Sequence, residues 1–171
     1  NAKLEKIKSF GVEVVLHGSE SGLAEVHAQS LAKTRGLTYV SPYNDPIVVA
    51  GQGTIGLELL EQADHIDNIF VAMGGGGLIG GIGAVLKNAN PKTRVIGVSA
   101  KNSAALAASM QAGEIVDTDH FNTLADGVAG GVDKGSVTLP LAMRVIDEVL
   151  ICDEAEIASA LKRMALDENQ I

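Results

Sequence analysis

The chain has 171 residues with 13 basic and 21 acidic side chains, a formal charge of −8, which is opposite in sign to the footprint of a nucleic-acid binder. Apolar residues make up 46% and charged residues 20%, and the mean hydropathy is +0.22, so the chain can bury a core and is not a disordered segment. No apolar run reaches the roughly 18 to 20 residues that span a bilayer, and Cys152 is the only cysteine; an internal disulfide framework, a multi-cysteine zinc site and an integral membrane role are excluded, and with no signal peptide at its start a cytoplasmic setting is expected.

Short Val- and Ile-rich runs alternate with segments of helical period, the pattern of a parallel α/β sheet. In chain order, Ala2 to Ser9 is expected as the tail of a helix, Gly11 as a break, and Val12 to Leu16 as a strand. A helix over Ser21 to Arg35 should turn Leu23, Val26 and Leu31 inward and stop at Gly36. Thr38 to Val40 reads as a short strand, and Ser41-Pro42-Tyr43-Asn44-Asp45-Pro46 as an irregular crossing between subdomains, because each proline disfavours helix in the residue before it. The next helix, about Ile47 to Glu61, is expected to be interrupted or to start near Gly51-Gln52-Gly53-Thr54, with Ile55, Leu59 and Leu60 facing inward.

Ile69 to Met73 reads as a buried strand, Gly74 to Gly77 as an unbroken tetraglycine, and Leu78 to Lys87 as a helix despite Gly80, Gly81 and Gly83. Arg94 to Ser99 is the next strand, Ser103 to Gln111 the next helix, and Asp117 to Lys134 a long polar loop. Ser136 is expected to cap a helix whose first turn holds Pro140. Glu148 to Cys152 closes the strands, with Cys152 buried and inert, and Asp153 with Glu156 opens a helix that should bury Ile157, Leu161 and Met164.

A strand that runs into consecutive glycines and then a helix presents several backbone N–H groups and the positive end of the helix dipole to one point, which suits a phosphate. A Cβ would hold phosphate oxygens away from the amides, whereas an ordinary tight turn would need only one or two glycines. The dinucleotide pattern G-x-G-x-x-G is met at Gly51 to Gly56 and again at Gly75 to Gly80. The carboxylate that should grip the ribose is missing after the next strand, where Ser99-Ala100-Lys101-Asn102 stands.

These residues resemble the serine/threonine dehydratases and serine racemases, pyridoxal-phosphate enzymes of the tryptophan-synthase-β-like fold. The resemblance rests on Ser41 to Pro46, Ala50-Gly51-Gln52-Gly53-Thr54-Ile55-Gly56, Gly74-Gly75-Gly76-Gly77-Leu78 and Ala125-Asp126-Gly127, in this order and spacing. It implies an α/β fold, a parallel-sheet three-layer α/β/α arrangement that is incomplete here, with residues 1–40 as part of a small domain and 41–171 as most of a large one. It also implies pyridoxal 5′-phosphate as cofactor, held by the amides of Gly74, Gly75, Gly76, Gly77 and Leu78, with Gly127 near the cofactor ring. A small amino acid would be the substrate, and a homo-oligomer is expected, with no nucleic-acid or membrane partner.

In such enzymes a Schiff-base lysine takes the substrate's α proton before the β-hydroxyl is expelled. No lysine here, from Lys3 to Lys162, has the family's setting for it, so no catalytic residue is assigned, and the chain reads as a central fragment that is inactive alone. A racemase of the same family and a non-catalytic binding remnant are the alternatives; a nicotinamide oxidoreductase is disfavoured by the missing ribose acid. No metal is expected, because Ser99 and Ala105 stand where relatives place cation-binding carboxylates, and His17, His27, His65 and His120 show no ligand spacing.

Overall fold

The computed structural model describes residues 2–18 and 21–170. The chain divides into two compact units, Asn1–Tyr39 and Val40–Ile171. The first holds helix α1 (Ala2–Lys8) and helix α2 (Ser21–Arg35). Gly36, at φ +66°, ends α2 in the left-handed conformation that a side chain resists. Arg35 pairs with Glu13 at 2.8 Å, and the rings of His17 and His27 stack 3.9 Å apart. The strands expected at 12–16 and 38–40 do not form: an extended segment becomes a strand only when a neighbour takes its hydrogen bonds, and among the described residues neither has one. Leu23 and Val26, expected inside, are 51% and 65% exposed.

The second unit is built on a parallel sheet in the order β1 (Asn68–Ala72), β2 (Arg94–Ala100), β3 (Glu148–Cys152). Phe70 lies opposite Ile96, and Val98 opposite Leu150. Helix α3 (Pro46–Gln62) precedes the sheet, α4 (Gly77–Ala89) connects β1 to β2, α5 (Ala105–Ala112) and α6 (Thr138–Val145) lie between β2 and β3, and α7 (Glu154–Leu166) follows. The core gathers Val71 and Met73 from the first strand's end, Ile79, Ile82 and Leu86 from α4, Val95 from β2, Leu106 from α5, and Leu139 and Ala142 from α6. A parallel sheet needs such cover because crossover helices lie on its faces.

Local chemistry explains most boundaries. Asp45 caps α3 by accepting the N–H groups of Ile47 and Val48, and Pro46 takes the first helical position, where its missing N–H is harmless. Asp153 and Glu156 form a complete capping box at α7. Helix α5 starts at Ala105, two residues later than expected, because Ser103 bridges back to Ala100. Ser136 lies two residues before α6, and its hydroxyl accepts the Thr138 N–H. Leu161 and Met164 of α7 are 53% and 47% exposed, not buried, and Cys152 is only half-buried; β3 is an outer strand among the described residues.

Helix α3 is continuous through Gly51 to Gly56. That glycine pattern is therefore neither a helix start nor a dinucleotide loop. Its buried members, Gly53 and Gly56, face α4, where a Cβ on Gly53 would lie 3.3 Å from the Gly81 carbonyl and one on Gly56 2.9 Å from Val85 Cβ. Ile55 and Leu60, expected inward, are each 39% exposed. The glycines form the contact stripe because two helix backbones approach closely there. A Cβ on Gly81 would press on the Val49 carbonyl and the Gly53 nitrogen, both backbone atoms that cannot swing away.

At the opposite end of the sheet from the tetraglycine, Asp147 accepts the Val95 N–H at 2.7 Å and pairs with Lys87 at 2.7 Å. Partial burial alone would raise its pKa, but the Lys87 hydrogen bond, the Val95 N–H and the charges of Lys87 and Arg94 together hold it below the usual carboxylate value.

Two outcomes follow. Gly81→Ala, which by helix propensity should stabilise by about 1 kcal/mol, is expected to destabilise by about 1–3 kcal/mol in urea unfolding because of overpacking; a stabilised variant would refute the close approach. Because the Asp147 pKa is lower folded than unfolded, its contribution is present above the unfolded value of about 3.9 and disappears as pH falls through the lower folded one. Asp147→Asn should thus flatten the acid limb of the stability–pH curve, measured by denaturation between pH 2 and 6.

Candidate functional site

The carboxyl ends of the parallel strands point to one edge of the sheet, the usual place for a ligand in an open α/β arrangement. The chain leaves β1 there, passes through Gly74, Gly75 and Gly76, and enters α4 at Gly77. Gly76 is the N-cap, at φ +91°, and the first helical hydrogen bond runs from Gly80 N–H to the Gly76 carbonyl. Among the described residues, the amides of Gly74, Gly75, Gly76, Gly77, Leu78 and Ile79 donate to no protein acceptor. Gly76 and Gly77 are buried, and Ile79 is 0% exposed.

Buried amides without acceptors are costly, and here they are consecutive at the positive end of a helix. An anion meets that need. The loop is closely backed on its other sides: a Cβ on Gly74 would lie 2.7 Å from the Val128 carbonyl, one on Gly75 2.5 Å from the Tyr43 ring, one on Gly76 2.7 Å from Leu106 Cδ2, and one on Gly77 3.0 Å from the Tyr43 backbone. Side chains are excluded so that neighbours can seat the backbone, and its donors are left over for a ligand. These residues fit a phosphate group.

The five residues expected to hold phosphate, Gly74 to Leu78, are thus contiguous at this edge. Gly127 lies in a one-turn 3₁₀ helix, Asp126–Val128, whose Val128 touches Gly74; Gly127 itself is exposed and a Cβ there would meet open space. The same loop is tied to the end of β2 by Ser103, whose hydroxyl accepts the Gly130 N–H at 2.9 Å and lies 2.8 Å from His120 Nδ1. Ser99, where a cation ligand was discounted, donates its hydroxyl to the Met73 carbonyl at 2.9 Å. Ala105 is buried and has no donor atom. No cluster of three or more His, Cys, Asp or Glu occurs among the described residues, and no helix there is long and apolar enough to cross a membrane.

Sequence reasoning missed several contributors. Tyr43, Asn44, Ser103, His120, Ser136 and Thr138 all organise the loops around the tetraglycine. The turn Ser41 to Pro46 carried a signal, two prolines around polar residues, but nothing local told which loop those polar groups would meet.

A strand, a glycine turn and a helix with acceptorless amides at a parallel sheet's carboxyl edge form an α/β arrangement whose geometry suits an anion. The family model described as "Pyridoxal-phosphate dependent enzyme" matches residues 1–171, and the chain belongs to that family. The biosynthetic L-threonine dehydratase of Pasteurella multocida is 42% identical over 161 residues, 94% of this chain and 31% of that protein. The structure of maize serine racemase superposes with a TM-score of 0.89 at 30% identity over 99% of this chain and 52% of that one. The processed threonine deaminase of Solanum lycopersicum gives 0.88 at 34% identity over 99% and 49%. The chain therefore spans about a third of the length of that dehydratase and about half of each solved structure. The parallel α/β arrangement expected from the sequence is the one observed.

Ser103→Ala removes the acceptor that ties Gly130 to β2. Amide exchange at Gly130 should accelerate roughly fivefold, the loss of one net hydrogen bond, with little change at Gly80; unaltered protection at Gly130 would show that Ser103 does not tether the loop.

Proposed function

We propose that this chain provides the phosphate-binding part of a pyridoxal-phosphate-dependent ammonia-lyase acting on a small hydroxy-amino acid, in the manner of the threonine and serine dehydratases. The observation that carries the reading is the run of acceptorless amides from Gly74 to Ile79 at the start of α4. Gly74, Gly75, Gly76, Gly77 and Leu78 hold the cofactor phosphate by backbone donation, and the α4 dipole adds favourable charge. Gly127 lies beside the cofactor ring, on the loop whose Val128 touches Gly74. When bound, pyridoxal phosphate supplies an electron sink for the substrate's α carbon. The residues of this chain bind and orient; none is assigned to proton transfer.

In this reading residues 1–40 belong to a small domain and 41–171 to most of a large one, and the enzyme is a cytoplasmic homo-oligomer. Exposed apolar residues such as Phe70, at 62%, and Ile47, at 82%, support burial against further protein. A racemase is the second reading, favoured by the likeness to maize serine racemase. The dehydratase relatives, at 38–42% identity, favour the lyase.

Pyridoxal phosphate and pyridoxal, which lacks the phosphate, separate the cradle from other binding. Equilibrium dialysis is expected to show much tighter binding of the phosphorylated form. Gly76→Ala, strained at positive φ and pressed on Leu106, should weaken that form by about tenfold or more without affecting pyridoxal. Equal affinity of the wild-type chain for the two compounds would contradict the reading.

A further inference from the structure

The cradle is backed by a side chain that phosphate binding does not itself use. Tyr43 lies in the turn between Ser41 and Asp45, and this turn is rigidly built: the buried Ser41 hydroxyl accepts the Asn44 N–H at 2.9 Å, and Asp45 caps α3. One end of Tyr43 serves the glycines. Its ring occupies the space a Cβ of Gly75 would need, 2.5 Å from Cδ2 and 2.6 Å from Cγ, and its backbone and Cβ stand 3.0–3.1 Å from where a Cβ of Gly77 would be.

The other end serves a different loop. The Tyr43 hydroxyl accepts the Asp133 N–H at 2.8 Å. Asn44 fastens the same loop twice, its Nδ2 donating to Asp133 Oδ2 at 3.2 Å and its Oδ1 accepting the Val137 N–H at 3.0 Å. That loop then returns to the cradle: Thr138, 0% exposed, donates its hydroxyl to the Gly75 carbonyl at 2.6 Å. Gly75, Tyr43, Asp133 and Thr138 therefore form a closed circuit of contacts.

We propose that Tyr43 is a positioning residue that fixes the direction of the Gly75–Gly77 amides and, with Asn44, couples the cradle to loop 131–137. The proposal rests on the phosphate reading of the cradle. Amides that must converge on one anion bind it better when they are already fixed, because less freedom is lost on binding. A rigid ring on glycines without side chains leaves the loop little room to relax. Coupling is reciprocal: an anion that orders the glycine loop also orders the loop joined to it through Tyr43.

The test uses the full chain with inorganic phosphate as the probe. Tyr43→Phe keeps the ring and removes the acceptor for Asp133; Tyr43→Leu removes the ring as well. Phosphate affinity is expected to fall roughly threefold to tenfold in the Phe variant, the worth of one hydrogen bond, and further in the Leu variant. In the wild type, phosphate should slow amide exchange across 131–137 without a matching change at the start of α7, and in Tyr43→Phe that slowing should be lost. Wild-type phosphate affinity in Tyr43→Phe, or wild-type exchange at 131–137 that ignores phosphate, would overturn the positioning role and leave the cradle standing. A lower melting temperature in Tyr43→Phe with affinity and exchange both unchanged marks a purely structural role and overturns the proposal too. A wild-type chain that binds no phosphate would overturn both.

Discussion

Six consecutive amide donors without acceptors, Gly74 to Ile79, are the constraint around which the second unit is arranged. Strand β1 ends and α4 begins with no residue between them that can take these hydrogen bonds, and the deeper members lie where water has little access. The surroundings do not relieve the need, since Tyr43, Leu106, Thr138 and Val128 press on the loop where Cβ atoms would otherwise be. Each would gain nothing from a bulkier loop. Donors gathered at a helix N-terminus in this way suit an anion.

The remaining glycines answer a different demand. Helix α4 carries Gly80, Gly81 and Gly83 in its interior, each about 1 kcal/mol worse than alanine as a helix residue. Gly81 lets α3 approach until backbone meets backbone, while Gly80 and Gly83 make room for Leu141 and Val145 of α6. Helix α4 is thereby held between α3, α6 and the sheet, and its N-terminus is fixed relative to β1. Packing at Gly81 and geometry at Gly76 are thus parts of one design: the first places the helix, the second aims its amides.

Much of this was legible in the sequence, for identifiable reasons. Strand β3 and helix α2 fall at the expected residues because their signals are local, a Val/Ile run before Asp153 and a glycine stop at Gly36. The tetraglycine falls between β1 and α4 as expected, because a glycine run closes a strand and opens a helix by local signals alone. The reading failed where structure depends on distant partners. Val12 to Leu16 has strand composition but no neighbouring strand among the described residues, and Leu161 and Met164 have helical period but nothing described to cover them. Gly51 to Gly56 matched a nucleotide pattern that only the α4 contact explains. Tyr43 and Asn44 reach Asp133 and Val137 across 90 and 93 residues, a separation that no local pattern encodes.

The central claim is that the amides from Gly74 to Leu78 hold a phosphate. Titration of an ¹⁵N-labelled chain with pyridoxal phosphate, followed by amide chemical shifts, tests it most directly. The account predicts large, saturable downfield shifts at Gly74, Gly75, Gly76, Gly77 and Leu78, and none at Gly51, Gly53 or Gly56 within α3. Shifts centred on Gly51 to Gly56, or a glycine loop that does not respond while the compound binds elsewhere, would contradict it.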